Sequence, residues 1–180
     1  MKQATGIPDQ NNEIVVTFLN LLLTEEYMLY TKTRTAHWNI DGENYFELHV
    51  FLENQYNAID VIIDDLAEQI RSLGHFATGS LKNFMNIAEM LDENHDYNSD
   101  SEQIFEVLLH DHKAIIRTIQ HEIYPISHKY KDIGTTDFLT GLLGRHQKMI
   151  WMLKSFLYGP DSAVTVPIRM IANQRVNSPD

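Results

Sequence analysis

Four residues in this chain have the types and spacing to do metal chemistry: His37, His49, Asp64 and Glu68. The two histidines bracket the stretch HWNIDGENYFELH (37–49), with a turn-forming Asp-Gly between them. Asp64 and Glu68 stand at i and i+4, so on a helix they share one face. The 180 residues include no cysteine, so any metal must be held by imidazole and carboxylate. Two of each, without sulfur, suit Fe(II) and tolerate Zn(II), Mn(II) or Co(II). Each residue also has an ordinary role open to it: a paired Asp-Glu stripe on a helix is often only a solvated face, and a single histidine often caps or packs. Asp60 and Asp65 take that ordinary reading.

The elements that must position the four residues are helices. Residues 13–37 read as a first helix, with Ile14, Phe18, Leu22 and Leu29 at near-helical intervals. Residues 39–43 are the turn. A second helix over 44–73 carries Leu48, Leu52, Tyr56, Ile59, Ile63, Leu66, Ile70 and Leu73, and Gly74 ends it. A short helix is expected over 80–90. A third long helix opens at a capping box formed by Ser99 and Glu102 and ends near Pro125. A fourth spans 137–158 and stops at Gly159-Pro160. The expected fold is an all-α four-helix bundle, up-down-down-up, with the short extra helix in the long connection between helices 2 and 3. The bundle occupies 13–158, between tails 1–12 and 159–180.

This layout constrains the site. His49 and Asp64 are fifteen residues apart on one helix, or about 22 Å. Metal–ligand bonds are about 2 Å, so the two cannot hold one ion within one chain. A single site from all four residues requires two copies packed antiparallel about a two-fold axis, giving two identical shared sites. A di-iron site inside one bundle would use Glu-x-x-His, and no Glu here has His three residues on.

The stretch AHWNIDGENYFELHVFLENQYNAIDVIIDDLAEQIRSLG (36–74) closely resembles the signature of the Dps family, the twelve-subunit mini-ferritins named for DNA protection during starvation. His37-Trp38-Asn39, Gly42, Phe46, Leu48-His49, Gln55-Tyr56 and Asp64-x-x-Ala67-Glu68 carry the match, with LLHDHKAIIR (108–117), TTDFLTG (135–141) and IWMLKSFL (150–157) in support. The resemblance implies a ferritin-like bundle in a hollow dodecamer, with a ferroxidase site between two-fold mates. In that scheme His37 and His49 come from one subunit and Asp64 and Glu68 from the other. Asp64 and His37 anchor the tighter iron, Glu68 bridges, and His49 serves the second position. The resemblance further implies oxidation of Fe(II), with hydrogen peroxide preferred over dioxygen, ferric storage in the shell, protection from oxidative damage, and Trp38 beside the site as an aromatic able to intercept radicals. Zinc can substitute at such a site.

Several features depart from that pattern. The net charge is −11, and neither tail is basic, so DNA compaction, the alternative function, finds little support. Twelve copies would total about −130. The family's acidic pores lie near the start of the last helix. Asp132 and Asp137 are the candidates there, but Arg145 and His146 stand where a further acid is usual. His75 is a possible extra ligand, seven residues past Glu68, provided the helix reaches it. His110 and His112 read as surface or interface residues. No apolar run reaches the length of a membrane span and the N-terminus does not resemble a secretory signal, so a cytoplasmic protein is expected.

Overall fold

The computed structural model describes residues 8–87 and 100–159, without the side chains of 85–87. Among these described residues five helices follow in order: α1 (Asp9–Asn39), α2 (Tyr45–Ser72), α3 (Leu81–Ile87), α4 (Ser101–His128) and α5 (Ile133–Tyr158). α1 packs on α2 and α4 packs on α5, while α1 with α4 and α2 with α5 close the bundle more lightly. The short α3 rests on α1. This is the expected four-helix bundle with an extra helix in the long connection.

The core forms because each helix turns one apolar arc inward. On α1 the arc runs through Val15, Leu19, Leu22 and Leu29, all fully buried. Ile14 lies one residue off that arc and is exposed, so the stripe read from the sequence starts one position early. On α2 the buried set is Leu48, Phe51, Leu52, Gln55, Ile59, Ile62, Leu66 and Ile70. Ile104, Leu108, Ile115 and Ile119 of α4 meet Leu139, Leu142, Met149 and Leu153 of α5. Each such side chain contributes about 1.5–3 kcal/mol by leaving water.

The helix ends differ from expectation for local reasons. α1 begins at Asp9, directly after Pro8, whose ψ of 138° places it just outside the helix, and Asp9 puts an acid in the first turn, where the helix dipole favours it. α4 is capped by Asp100, whose side chain accepts from the Glu102 amide at 3.0 Å. Ser99, expected in that role, falls outside the described residues. α4 also continues through Pro125 to His128. α5 starts four residues before the expected boundary. Asp132 caps it, accepting from the Thr135 amide at 2.9 Å and the Thr135 hydroxyl at 2.6 Å. Residues 88–90 of the expected 80–90 helix and the apolar tail segment 163–171 also lie outside the described residues.

Among the described residues no helix is long and apolar enough to cross a membrane.

Candidate metal centre

The α1–α2 hairpin brings two of the four candidate ligands together. Its turn depends on Gly42, whose φ of 116° is open to glycine and strained for other residues. The Gly42 amide donates to the Asp41 side chain at 2.8 Å. The last turn of α1 then faces the first turns of α2, and the rings of His37 and His49 stack with centroids 3.7 Å apart. His37 Nδ1 lies 2.9 Å from the His49 carbonyl oxygen, and His49 Nδ1 lies 2.9 Å from the His37 carbonyl oxygen. A carbonyl oxygen can only accept, so each Nδ1 carries the proton. In the neutral rings both Nε2 atoms are therefore left with lone pairs able to bind a cation.

Aromatic side chains wall this pair. Tyr45 stacks beyond His49 at 5.1 Å, and Tyr56 meets His37 edge-on at 5.2 Å. The Arg34 guanidinium lies 5.4–5.7 Å from the rings of Tyr30, Trp38 and Tyr56 and bonds the Tyr30 hydroxyl. Trp38 is 64% exposed and Phe46 72% exposed, so the hairpin end presents an apolar surface around the histidines.

Asp64 and Glu68 occupy an exposed face of the same α2, one helical turn apart. Helical rise puts them about 22 Å and 28 Å from His49. The chain thus assembles the two histidines, and separately the two acids, but does not join the pairs. Glu68 borders a cleft of about 390 Å³ with Asp65, Gln69, Ser72, Phe138 and Arg145. Among the described residues no three His, Asp or Glu side chains gather where one ion would be held.

The remaining candidates take other positions. α2 ends at Ser72, Gly74 adopts a left-handed φ of 87°, and the chain turns His75 towards α1, where its Nε2 lies 3.4 Å from Asn12 Nδ2. Asp132 is buried as the α5 cap, while Asp137 is exposed on that helix. Arg145 pairs with Asp65 of α2.

His112 and His146 correct the reading from sequence. His110 is exposed as expected, but His112 is 1% exposed and His146 is fully buried. His146 Nδ1 lies 2.9 Å from His112 Nδ1, and its Nε2 lies 2.7 Å from Glu26 Oε1. Lys32 of α1 pairs with Asp111 of α4 at 2.8 Å, also buried. Burial first, and the neighbouring His146 second, hold the His112 ring well below its ordinary pKa. A signal for this polar layer was present: Glu26, His112 and His146 occupy inward positions of otherwise apolar stripes, at 22–26–29, 108–112–115 and 142–146–149.

Comparison with known proteins accords with this architecture. The ferritin-like domain family matches residues 16–159. A low temperature-induced protein of Nostoc sp., itself uncharacterised, is 33% identical over 154 residues, covering 86% of each chain. The DNA protection during starvation protein of Helicobacter pylori is 30% identical, covering 77% of this chain and 95% of its own. Among solved structures, the Dps protein of Vibrio cholerae O1, described as a ferritin-like diiron-carboxylate protein, superposes with a TM-score of 0.80 at 25% identity, covering 87% of this chain and 98% of its own. The chain belongs to the ferritin-like family, among the Dps proteins.

Proposed function

We propose that two copies of this chain, related by a two-fold axis, share two ferroxidase sites at which Fe(II) is the substrate. The observation that carries the reading is the His37–His49 pair, whose Nε2 lone pairs are set free by reciprocal bonds to backbone carbonyls. Such a pair lacks only carboxylates. Asp64 and Glu68 lie too far along α2 to supply them in the same chain, yet they are exposed and one turn apart. An antiparallel mate brings its Asp64 and Glu68 to these histidines. The exposed Trp38, Tyr45, Phe46 and Val50 around the histidines, and Val61 beside Asp64, are the apolar surface such a mate would cover.

In this site His37 and Asp64 hold the first ferrous ion, Glu68 bridges, and His49 serves the second. Two ferrous ions held together give two electrons to one peroxide, so the oxidant is reduced without release of a hydroxyl radical. Six such dimers form a dodecameric shell that keeps the ferric product as mineral in the cytoplasm. Zinc fits the same donor set and would compete. We leave His75 out of the ligand set, because its Nε2 faces Asn12. Asp137, exposed on α5, remains the better pore candidate; Asp132 is engaged as a cap. DNA compaction is the weaker reading for a chain of net charge −11.

Stopped-flow mixing tests the reading. Apoprotein loaded anaerobically with Fe(II) is mixed with peroxide or with dioxygen. Fast oxidation by peroxide and slow oxidation by dioxygen are expected. Rates equal to buffer with both oxidants would refute it.

A further inference from the structure

The chain Glu26–His146–His112 plays no part in the proposed iron chemistry. It ties α1, α5 and α4 together at one level of the core, and its three residues are 0%, 0% and 1% exposed. His146 uses both ring nitrogens, one towards Glu26 Oε1 at 2.7 Å and one towards His112 Nδ1 at 2.9 Å. The other Glu26 oxygen, Oε2, has no hydrogen-bond partner among the described residues. The groups are strung in a line rather than gathered about a point, an arrangement that suits protons and not a cation.

The protons can be counted along the line. With the Glu26 carboxylate ionised, His146 donates from Nε2, accepts at Nδ1, and His112 donates from its own Nδ1. One further proton is accommodated. His146 then donates from both nitrogens, and His112 accepts at Nδ1 with its proton moved to Nε2. A second proton added to the imidazoles leaves two Nδ1–H groups facing each other at 2.9 Å with no lone pair between them, whatever the state of the Glu26 carboxyl.

We infer that this chain is an acid-sensitive lock in the bundle core, whose two imidazoles take up one proton with their bonds intact and a second only by opening the His112–His146 contact between α4 and α5.

Charged groups flank the line on α1, α4 and α5. On α1, Glu25 is buried beside Glu26, and Lys32 is closed in its pair with Asp111 of α4. On α5, Arg145 turns out to Asp65 and Lys148 is exposed. His110 of α4 is exposed, and the buried face of α2 carries no titratable residue. The sign follows from the depressed His112 value: its contribution to stability is full above the ordinary histidine value of 6.5 and is lost as pH falls towards the folded value.

Apparent melting temperature between pH 7.5 and 4.5, followed by circular dichroism, tests the lock on the wild type and His112→Gln. Below pH 6.5 the wild type is expected to lose about 3–5 °C per pH unit, per proton taken up, beyond what the variant loses. Parallel profiles would overturn the inference. Should His112→Gln fail to fold, deuterium exchange at the histidine C2–H, read by mass spectrometry on the wild type, decides the matter. His112 is expected to stay neutral below pH 6 until the bundle opens. Titration of His112 near 6.5 in an intact bundle would overturn the lock.

Discussion

His37 and His49 lie face to face at 3.7 Å, and each gives its Nδ1 proton to the other's backbone carbonyl at 2.9 Å. The same contact that closes the α1–α2 hairpin also fixes the tautomer of both rings. Ligand geometry and hairpin geometry are therefore one feature, and a change in the turn should be felt at the metal.

Gly42→Ala tests that coupling. The added Cβ meets no atom of the described residues within 4 Å, so the cost is backbone strain at a φ of 116° and not a clash. A loss of about 1–3 kcal/mol in urea unfolding is expected, together with weaker Co(II) binding measured by titration. Unchanged stability would mean the turn does not need glycine.

Asp64→Ala and Glu68→Ala test the carboxylates without touching the core. Both residues are exposed on the single chain, so the stability of the bundle itself should change by no more than about 0.5 kcal/mol. Fe(II) oxidation should fall by at least about tenfold in stopped flow, corresponding to roughly 1.4 kcal/mol in the barrier. Normal rates in Glu68→Ala would remove Glu68 from the site.

The buried pair Lys32–Asp111 is a separate matter of stability. Asp111→Ala leaves a buried ammonium without its partner and should cost about 3–5 kcal/mol. The double variant Lys32→Met with Asp111→Leu should recover most of that loss. Denaturant midpoints for the three proteins decide it, and a double variant no better than Asp111→Ala would point to a network wider than the pair.

The sequence made the bundle legible because its apolar stripes have helical period and its hairpin carries Asp-Gly. The histidine pair followed from that hairpin, and the distance between His49 and Asp64 from helical rise alone. The ends of α4 and α5 were less legible. Asp132 looks like any acid until Thr135 is seen to complete its cap, and α4 continues through Pro125 although proline usually ends a helix. The core polar layer was hidden for another reason. Histidine and glutamate are usually exposed, and only their positions within the stripes through 26, 112 and 146 betray burial.

The shared site is tested most directly by subunit complementation. One variant lacks the histidines (His37→Ala with His49→Ala), and the other lacks the acids (Asp64→Ala with Glu68→Ala). Each alone should oxidise Fe(II) no faster than buffer. Unfolded together in equal amounts and refolded, they should regain about one quarter of wild-type sites, since half the dimers are mixed and each mixed dimer holds one complete site. A refolded mixture as inactive as its parents would contradict a site divided between two chains.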